Sequence, residues 1–160
     1  MFDFPAGRWE GIESISSQAL LEEVKPQAER RLVQAGAYFA GEIKLTLTGQ
    51  RSGRIYRVPG TRNRTYTASA PGEPPAVLFG NLRNSIGASP PVWDGFTVSL
   101  EVGVGLGQPP RGGVDPGNSY ARILEFGGVT RTGTRILPRP YLEPTAIRAE
   151  PEIERILAAA

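Results

Sequence analysis

Apolar residues recur every three or four positions over the first part of the chain, which is the spacing of one face of an α-helix. Ser14 or Ser16 can cap the start, and the pattern predicts a helix of about 20 to 25 residues. Pro26 removes a backbone N–H within this span, so we expect it to kink the helix or to begin its longer half. The apolar positions are Leu21, Val24, Ala28, Leu32, Ala35, Phe39 and Ile43.

Shorter segments with the composition or alternation of β-strands follow this helix. Residues 54–58 and 64–68 flank Pro59-Gly60, a pair that suits the centre of a type II turn, and together they predict a hairpin. Strict alternation of apolar and polar residues from Phe96 to Val104 predicts one half-buried strand. Residues 129–137 predict a second hairpin.

The remaining periodic segments predict helices. Leu82 and Ile86 lie one helical turn apart, and residues 120–126 form a short helical segment that Gly127-Gly128 ends. Residues 141–160 predict a longer helix that Pro151 interrupts. The apolar face expected for this last helix contains Ile147, Ile153, Ile156 and Leu157.

These elements predict a single α+β domain. In it, a small antiparallel or mixed sheet packs against the long N-terminal helix, with short helices and a C-terminal helix. The domain is expected to cover residues 14–160, after an N-terminal arm of residues 1–13.

The composition removes much of the usual catalytic chemistry. The 160 residues include no Cys and no His, which excludes thiolate nucleophiles, Ser-His systems and most zinc sites. Glu125 has no second acid in a recognisable pattern, so we expect it to be structural and to accept hydrogen bonds from loop amides or a buried Arg. The Gly103–Gly107 segment precedes prolines rather than a helix, so it predicts a loop and not a phosphate cradle. We predict no catalytic residue, cofactor or metal.

Positive charge is concentrated in one stretch, although the net charge is only +2. No acid occurs between residues 44 and 72. Arginines interleaved with Tyr56 and Tyr66 could contact nucleic-acid phosphates without reading a sequence. A solvated hairpin that meets acids of a neighbouring subunit explains the same pattern, so both interpretations stand. The basic residues are Lys44, Arg51, Arg54, Arg57, Arg62 and Arg64.

Five segments of the chain form a recognisable series: Ser52-Gly53-Arg54-Ile55-Tyr56, Ala68-Ser69-Ala70-Pro71-Gly72-Glu73-Pro74-Pro75-Ala76, Gly80-Asn81-Leu82-Arg83-Asn84-Ser85-Ile86, Tyr120-Ala121 with Leu124-Glu125-Phe126-Gly127, and Pro138-Arg139-Pro140-Tyr141-Leu142. In this order, they resemble the tail-completion (head-tail joining) family of long-tailed, lambda-like phages. The resemblance covers most of the chain from about Ser14, and the Pro-Gly-Glu-Pro-Pro loop is its most specific part. Members often place a polar capping residue before the glycine that matches Gly80, whereas Leu78-Phe79 here indicates an apolar junction, as at an interface.

The resemblance implies a structural virion protein of the phage neck or tail that works as a ring, with a hexamer favoured by tail symmetry. The implied partners are other copies and other neck and tail proteins, with packaged DNA as a non-specific contact. The residues that carry over are structural: Gly72, Glu73, Pro74 and Pro75 as a shaped loop, Gly80, Leu82 and Ile86 as packing positions, Tyr120, Glu125 and Gly127 as a helix and its end, and Arg139 and Pro140 as the approach to the last helix.

Residues 1–9 lack the basic start and apolar core of a secretory signal, and no apolar run approaches the length of a membrane span. We therefore expect no membrane contact, assembly in the bacterial host cytoplasm and residence in the virion. The alternatives are a tail terminator or minor tail subunit, a free basic nucleic-acid-binding module, and a carboxylate-dependent hydrolase.

Overall fold

A computed structural model describes residues 17–109 and 120–159 as an α+β fold, which confirms the predicted fold class. The N-terminal arm, the candidate caps Ser14 and Ser16, and residues 110–119 lie outside these residues. No helix in the described ranges is long and apolar enough to cross a membrane. The helices are α1 (Ser17–Thr48), α2 (Asn81–Ser85), α3 (Ala121–Phe126) and α4 (Glu143–Ala158).

The described strands form separate two-stranded antiparallel ladders rather than one continuous sheet. Both expected hairpins are present, as the ladders β1–β2 and β7–β8. The other two ladders are β4–β5 and β3–β6. The strands are β1 (Ile55–Arg57), β2 (Thr65–Thr67), β3 (Ile86–Ala88), β4 (Val92–Asp94), β5 (Thr97–Ser99), β6 (Val102–Val104), β7 (Gly128–Val129) and β8 (Arg135–Ile136).

Helix α1 is longer than predicted, with 32 residues, and it runs without a break through Pro26. The prediction that Pro26 begins the longer half of the helix is wrong. Pro26 lies on an exposed face, so water can reach the carbonyl that its missing N–H leaves unpaired. At the other end the helix continues past Ile43, because Leu47 is buried in the core one turn further on.

The predicted strand from Phe96 to Val104 is divided between β5 and β6, which pair with different partners. The division falls at Glu101, whose carbonyl accepts the N–H of Ser89 at 2.8 Å. Phe96, expected on the buried face, is 77% exposed because it follows the turn that joins β4 to β5. The alternating pattern correctly predicted the half-buried residues from Val98 onward. It did not indicate where the partner strand changes.

Helix α4 packs antiparallel along α1. The hydroxyl groups of Thr46 and Thr145 lie 2.8 Å apart, and Arg31 donates to the carbonyl of Leu157 at 3.3 Å near the other end. Pro151 is exposed and does not interrupt the helix, contrary to the prediction. Of the expected apolar face, Ile156 is buried and Ile153 is partly buried, whereas Ile147 and Leu157 are exposed. The contact with α1 instead uses the small residues Thr145 and Ala149, which allow close approach.

The main core lies where α1, α2, α3 and the start of α4 meet. Its buried members are Ala40, Ile43, Leu47, Leu82, Ile86, Ala121 and Tyr141. The core therefore brings together three of the five segments quoted above and the C-terminal half of α1.

Candidate functional site

The Pro-Gly-Glu-Pro-Pro loop is fastened to the rest of the chain by Glu73. One carboxylate oxygen, Oε2, accepts the backbone N–H of Ser52 at 3.1 Å and that of Ala70 at 2.9 Å, and the other accepts the Ser52 hydroxyl. Gly72 adopts a φ of 84° and donates its N–H to the carbonyl of Pro138 at 3.1 Å. The loop is thus bonded both to the segment before β1 and to the segment before α4.

These bonds make the loop sensitive to acid. Donation by the Ser52 hydroxyl, and then by the amides of Ala70 and Ser52, lowers the pKa of Glu73 from 4.5 to about 2. Because the folded-state pKa is the lower one, the carboxylate stabilises the fold above pH 4.5, and this contribution is lost as the pH falls toward 2.

We expect the wild type to be more stable than Glu73→Gln by a constant amount from pH 7 to pH 5, and the difference to vanish near pH 2. Urea unfolding at a series of pH values measures this difference in the free energy of unfolding. Glu154→Gln, which changes an exposed carboxylate on α4, is the control. A difference that stayed unchanged down to pH 2 would contradict the assignment of these hydrogen bonds to the ionised carboxylate.

Arg51, predicted as part of a basic patch, caps the end of α1 instead. Its guanidinium group donates to the carbonyls of Thr46 at 2.8 Å and Leu47 at 3.0 Å, which the helix end leaves without N–H partners. It also donates to the carbonyl of Pro75 at 3.1 Å. Burial lowers the pKa of Arg51, and the nearby Glu73 opposes that shift. The patch prediction is wrong for Arg51, because its donors face carbonyls of its own chain.

Helix α2 begins after Gly80, which adopts a left-handed conformation and provides no side-chain cap. Leu82 and Ile86 are buried, as expected for packing positions. Phe79, which directly precedes Gly80, is 61% exposed, so its contacts with the described residues leave most of the side chain uncovered. Beside it runs a groove of about 240 Å³ whose walls include Leu47, Val77, Leu82, Tyr120 and Leu124.

Glu125 is the acceptor for the start of α4. Its buried carboxylate receives the backbone N–H groups of Tyr141 at 2.8 Å, Leu142 at 3.1 Å and Glu143 at 3.0 Å. Leu142 occupies the N-cap position and has no polar side chain, so a residue of α3 performs the capping. The expectation that Glu125 accepts hydrogen bonds from amides is confirmed.

The segment before α4 is held between the loop and α3. Arg139 donates its backbone N–H to the carbonyl of Leu124 at 2.7 Å, next to Glu125 in the sequence. Gly127 ends α3 with a φ of 72°, and a side chain there would contact Pro138. Pro140 is partly buried and leads directly into Tyr141.

Tyr141 is the largest fully buried side chain in the described part of the protein. Burial, with the negative charge of Glu125 nearby, raises its pKa. Among the described residues, its hydroxyl group and the Nε atom of Arg139 find no hydrogen-bond partner. Tyr120 lies at the edge of the same core, and desolvation raises its pKa as well.

The other five residues of the predicted basic patch lie in two different places. Lys44 lies on α1 and borders a cleft together with Asn84 and Gly107. The other four lie on or beside the ladder β1–β2, where all of them are exposed: Arg54, Arg57, Arg62 and Arg64. The predicted hairpin therefore exists and is basic, without Lys44 and Arg51.

The glycine run after β6 makes contacts that its sequence did not indicate. The amides of Gly105 and Gly107 both donate to the carbonyl of Ser85 at 2.9 Å. A side chain on Gly87 would overlap the carbonyl of Leu106, so strand β3 and this loop approach as only glycine permits. A phosphate cradle is not formed by this part of the run, because its amides already serve the protein backbone.

Within residues 17–109 and 120–159, no group of three or more His, Cys, Asp or Glu is placed to hold a metal ion. Glu73 and Glu125, the two acids that stand in the five segments quoted above, both bind backbone amides. No family model, curated protein or solved structure matches this chain.

Proposed function

We propose that this chain is a structural subunit of a tailed-phage particle that completes the tail and helps to join it to the head as a member of a ring. The observation that carries the proposal is that the five segments resembling tail-completion proteins are bonded to one another in the fold. They are spread over residues 52–142, yet each one contacts at least one of the others.

Three links between the segments are hydrogen bonds and one is the hydrophobic core. The amide and hydroxyl of Ser52 bind Glu73, which joins the first segment to the second. The second segment reaches the fifth through Gly72 and Pro138, and the fourth reaches the fifth through Glu125 and Tyr141. The third joins them in the core cluster of Leu82, Ile86, Ala121 and Tyr141.

This network favours a scaffold over a catalytic site. Glu73 and Glu125 accept hydrogen bonds from backbone amides, which ties the proline loop to the segment before β1 and ties α3 to the start of α4. A side chain whose hydrogen-bonding capacity is used in this way is poorly suited to proton transfer. A rigid frame with exposed side chains at its margins suits a protein that works through association.

Exposed apolar side chains beside the segments also favour a role in assembly. Phe79 is 61% and Phe126 is 70% exposed, and both belong to or adjoin the resembling segments. Large aromatic side chains are enriched at the centres of protein interfaces, where they bury much apolar surface. Contact with a neighbouring subunit would cover such side chains.

The test is to locate the chain in the particle encoded by the same genome. We expect mass spectrometry to find it in purified particles and gold-labelled antibody to bind at the junction of head and tail. Disrupting its gene should give full heads and tails that do not join, and supplying the wild-type gene from a plasmid should restore joined particles.

Other outcomes identify the alternatives. Label along the tail or at its tip would indicate a minor tail subunit, and tails of abnormal length would indicate a terminator. Absence from purified particles, with normal particle yield after gene disruption, would overturn the virion role altogether.

A further inference from the structure

The β1–β2 ladder is a ribbon at the margin of the described fold, where Tyr66 and Thr67 border a cleft with the end of α1 and with Ala76 and Val77. Its register pairs Tyr56 with Tyr66 and Arg57 with Thr65, and all three residues of β1 are exposed. Beyond their mutual pairing, neither strand makes extensive contact with another described helix or strand. We call residues 54–68 the basic ribbon.

Alternation along the strands distributes the four arginines of the basic ribbon. Arg54 and Arg64 lie on the face of the stacked pair Tyr56–Tyr66, whose ring centroids are 5.9 Å apart. Arg57 lies on the opposite face, and Arg62 lies in the connection between the strands. Cations are thus present on both faces and at the tip.

These arginines are not neutralised within the described residues. None of the four takes part in an ion pair there, and no acid occurs between residues 44 and 72. The guanidinium group of Arg54 lies 5.9 Å from the ring centroid of Tyr56, so a cation–π contact restricts its orientation and leaves its edge free. An anionic partner with several charges would complement this ribbon.

We propose that the basic ribbon inserts into the major groove of duplex DNA and binds the phosphates on both sides of the groove. The groove of B-DNA is about 12 Å wide and admits a two-stranded β-ribbon. A flat or single-stranded phosphate track would meet only one face of the ribbon, whereas a groove presents phosphates to both faces. Contacts of this type carry no sequence preference.

The proposal concerns a binding activity of the purified chain and does not depend on a virion role. Fluorescence anisotropy with a labelled 30-base-pair duplex, over a series of NaCl concentrations, measures it. We expect the logarithm of the binding constant to fall with the logarithm of salt concentration with a slope of about −3.6 from the four contacts, at about −0.9 each.

A matched pair of fourfold variants distinguishes DNA binding by the basic ribbon from a general effect of the net charge. Replacing Arg54, Arg57, Arg62 and Arg64 with Gln changes the net charge from +2 to −2, since four positive charges are removed. We expect this change to abolish most of the salt-dependent binding. Replacing four other exposed arginines with Gln changes the net charge equally and should leave the slope within about 1 unit of wild type. This control set is Arg30, Arg122, Arg131 and Arg135.

A second comparison tests insertion into a groove. The double variants Arg54→Gln/Arg64→Gln and Arg57→Gln/Arg62→Gln should each reduce the slope by about 1.8, because each removes two phosphate contacts. Duplex should also compete better than a single strand of the same length. All eight substituted sites, four in the basic ribbon and four in the control set, are exposed, and unchanged thermal unfolding midpoints verify that the variants fold.

Three results would overturn the proposal. The first is equal binding by the ribbon variant and the control variant. The second is loss of binding only when the arginines of the tyrosine face are replaced. The third is preference for the single strand, which would indicate base stacking on Tyr56 and Tyr66 instead of a groove.

Discussion

Replacing Glu125 with alanine is expected to lower the free energy of unfolding by about 3–5 kcal/mol, a large share of the stability of a single domain. The variant leaves the amides of Tyr141, Leu142 and Glu143 without the acceptor they now share. An unsatisfied buried donor costs about 1–3 kcal/mol, and α4 also loses a negative charge at its N-terminus, where the helix dipole favours one.

Urea unfolding followed by far-UV circular dichroism measures this effect, and the unfolding midpoint on heating should fall by about 10 °C. Glu154→Ala removes an exposed carboxylate from α4 and should change stability by no more than about 0.5 kcal/mol. Glu125→Gln should lie between the two, because its amide retains one oxygen acceptor but turns an N–H group toward other donors. A loss below about 1 kcal/mol for Glu125→Ala would show that capping from α3 contributes little.

The second large effect is expected at Gly87, where alanine should lower the free energy of unfolding by about 3 kcal/mol. A methyl group there would overlap the carbonyl of Leu106 and crowd the amide of Gly107. Because these are backbone atoms, the strand and the loop must separate, which also lengthens the bonds to the carbonyl of Ser85. Adding atoms to a well-packed site is destabilising for this reason.

Gly103 provides a matched control, because it pairs directly with Gly87 across the β3–β6 ladder. A methyl group on Gly103 would meet no atom within 4 Å, and its backbone conformation is open to any residue. Gly103→Ala should therefore be neutral or stabilising by up to about 1 kcal/mol, through the unfolded chain. Thermal unfolding of both variants gives the comparison, and equal losses would contradict a steric cause at Gly87.

Hydrophobic periodicity was sufficient to predict the helices but not their extent. The spacing of apolar residues located α1 because its inward face repeats at helical steps. The last turn of α1 carries β-branched Thr46 and Thr48, whose intrinsic preference favours strands, and it is helical because Leu47 is buried and Thr46 meets Thr145. Such a contact joins residues 99 apart and has no local signal.

For the strands too, the sequence pattern predicted local structure but not the contacts between distant segments. Alternation correctly predicted that Val98, Leu100, Val102 and Val104 are half-buried, since that depends only on the period of an extended chain. It could not identify the partner of each strand, so β5 and β6 were predicted as one strand. The hairpin β1–β2 was predicted correctly because its turn chemistry is local: Gly60 has a φ of 75°, and Thr61 donates to the carbonyl of Val58.

The sequence predicted which residues of the candidate site are structural, but it did not predict their hydrogen-bond partners. Glu125 was expected to bind amides or an arginine, and the fold selects the amides at the start of α4. Arg51 and Arg54 look alike in the sequence, yet Arg51 lies three residues beyond the end of α1 and can reach its free carbonyls. Distance from a helix end, once that end is known, separates a capping arginine from an exposed one.

The packing of α4 along α1 affects the order in which the chain folds during synthesis. The hairpins β1–β2, β4–β5 and β7–β8 each close over a short stretch of sequence, whereas Arg31 and Leu157 meet across 126 residues. Local contacts form quickly and distant ones late, and a nascent chain leaves the ribosome N-terminus first. The face of α1 that packs on α4 therefore stays uncovered until α4 has been synthesised, and during that interval a chaperone or another chain could bind to it.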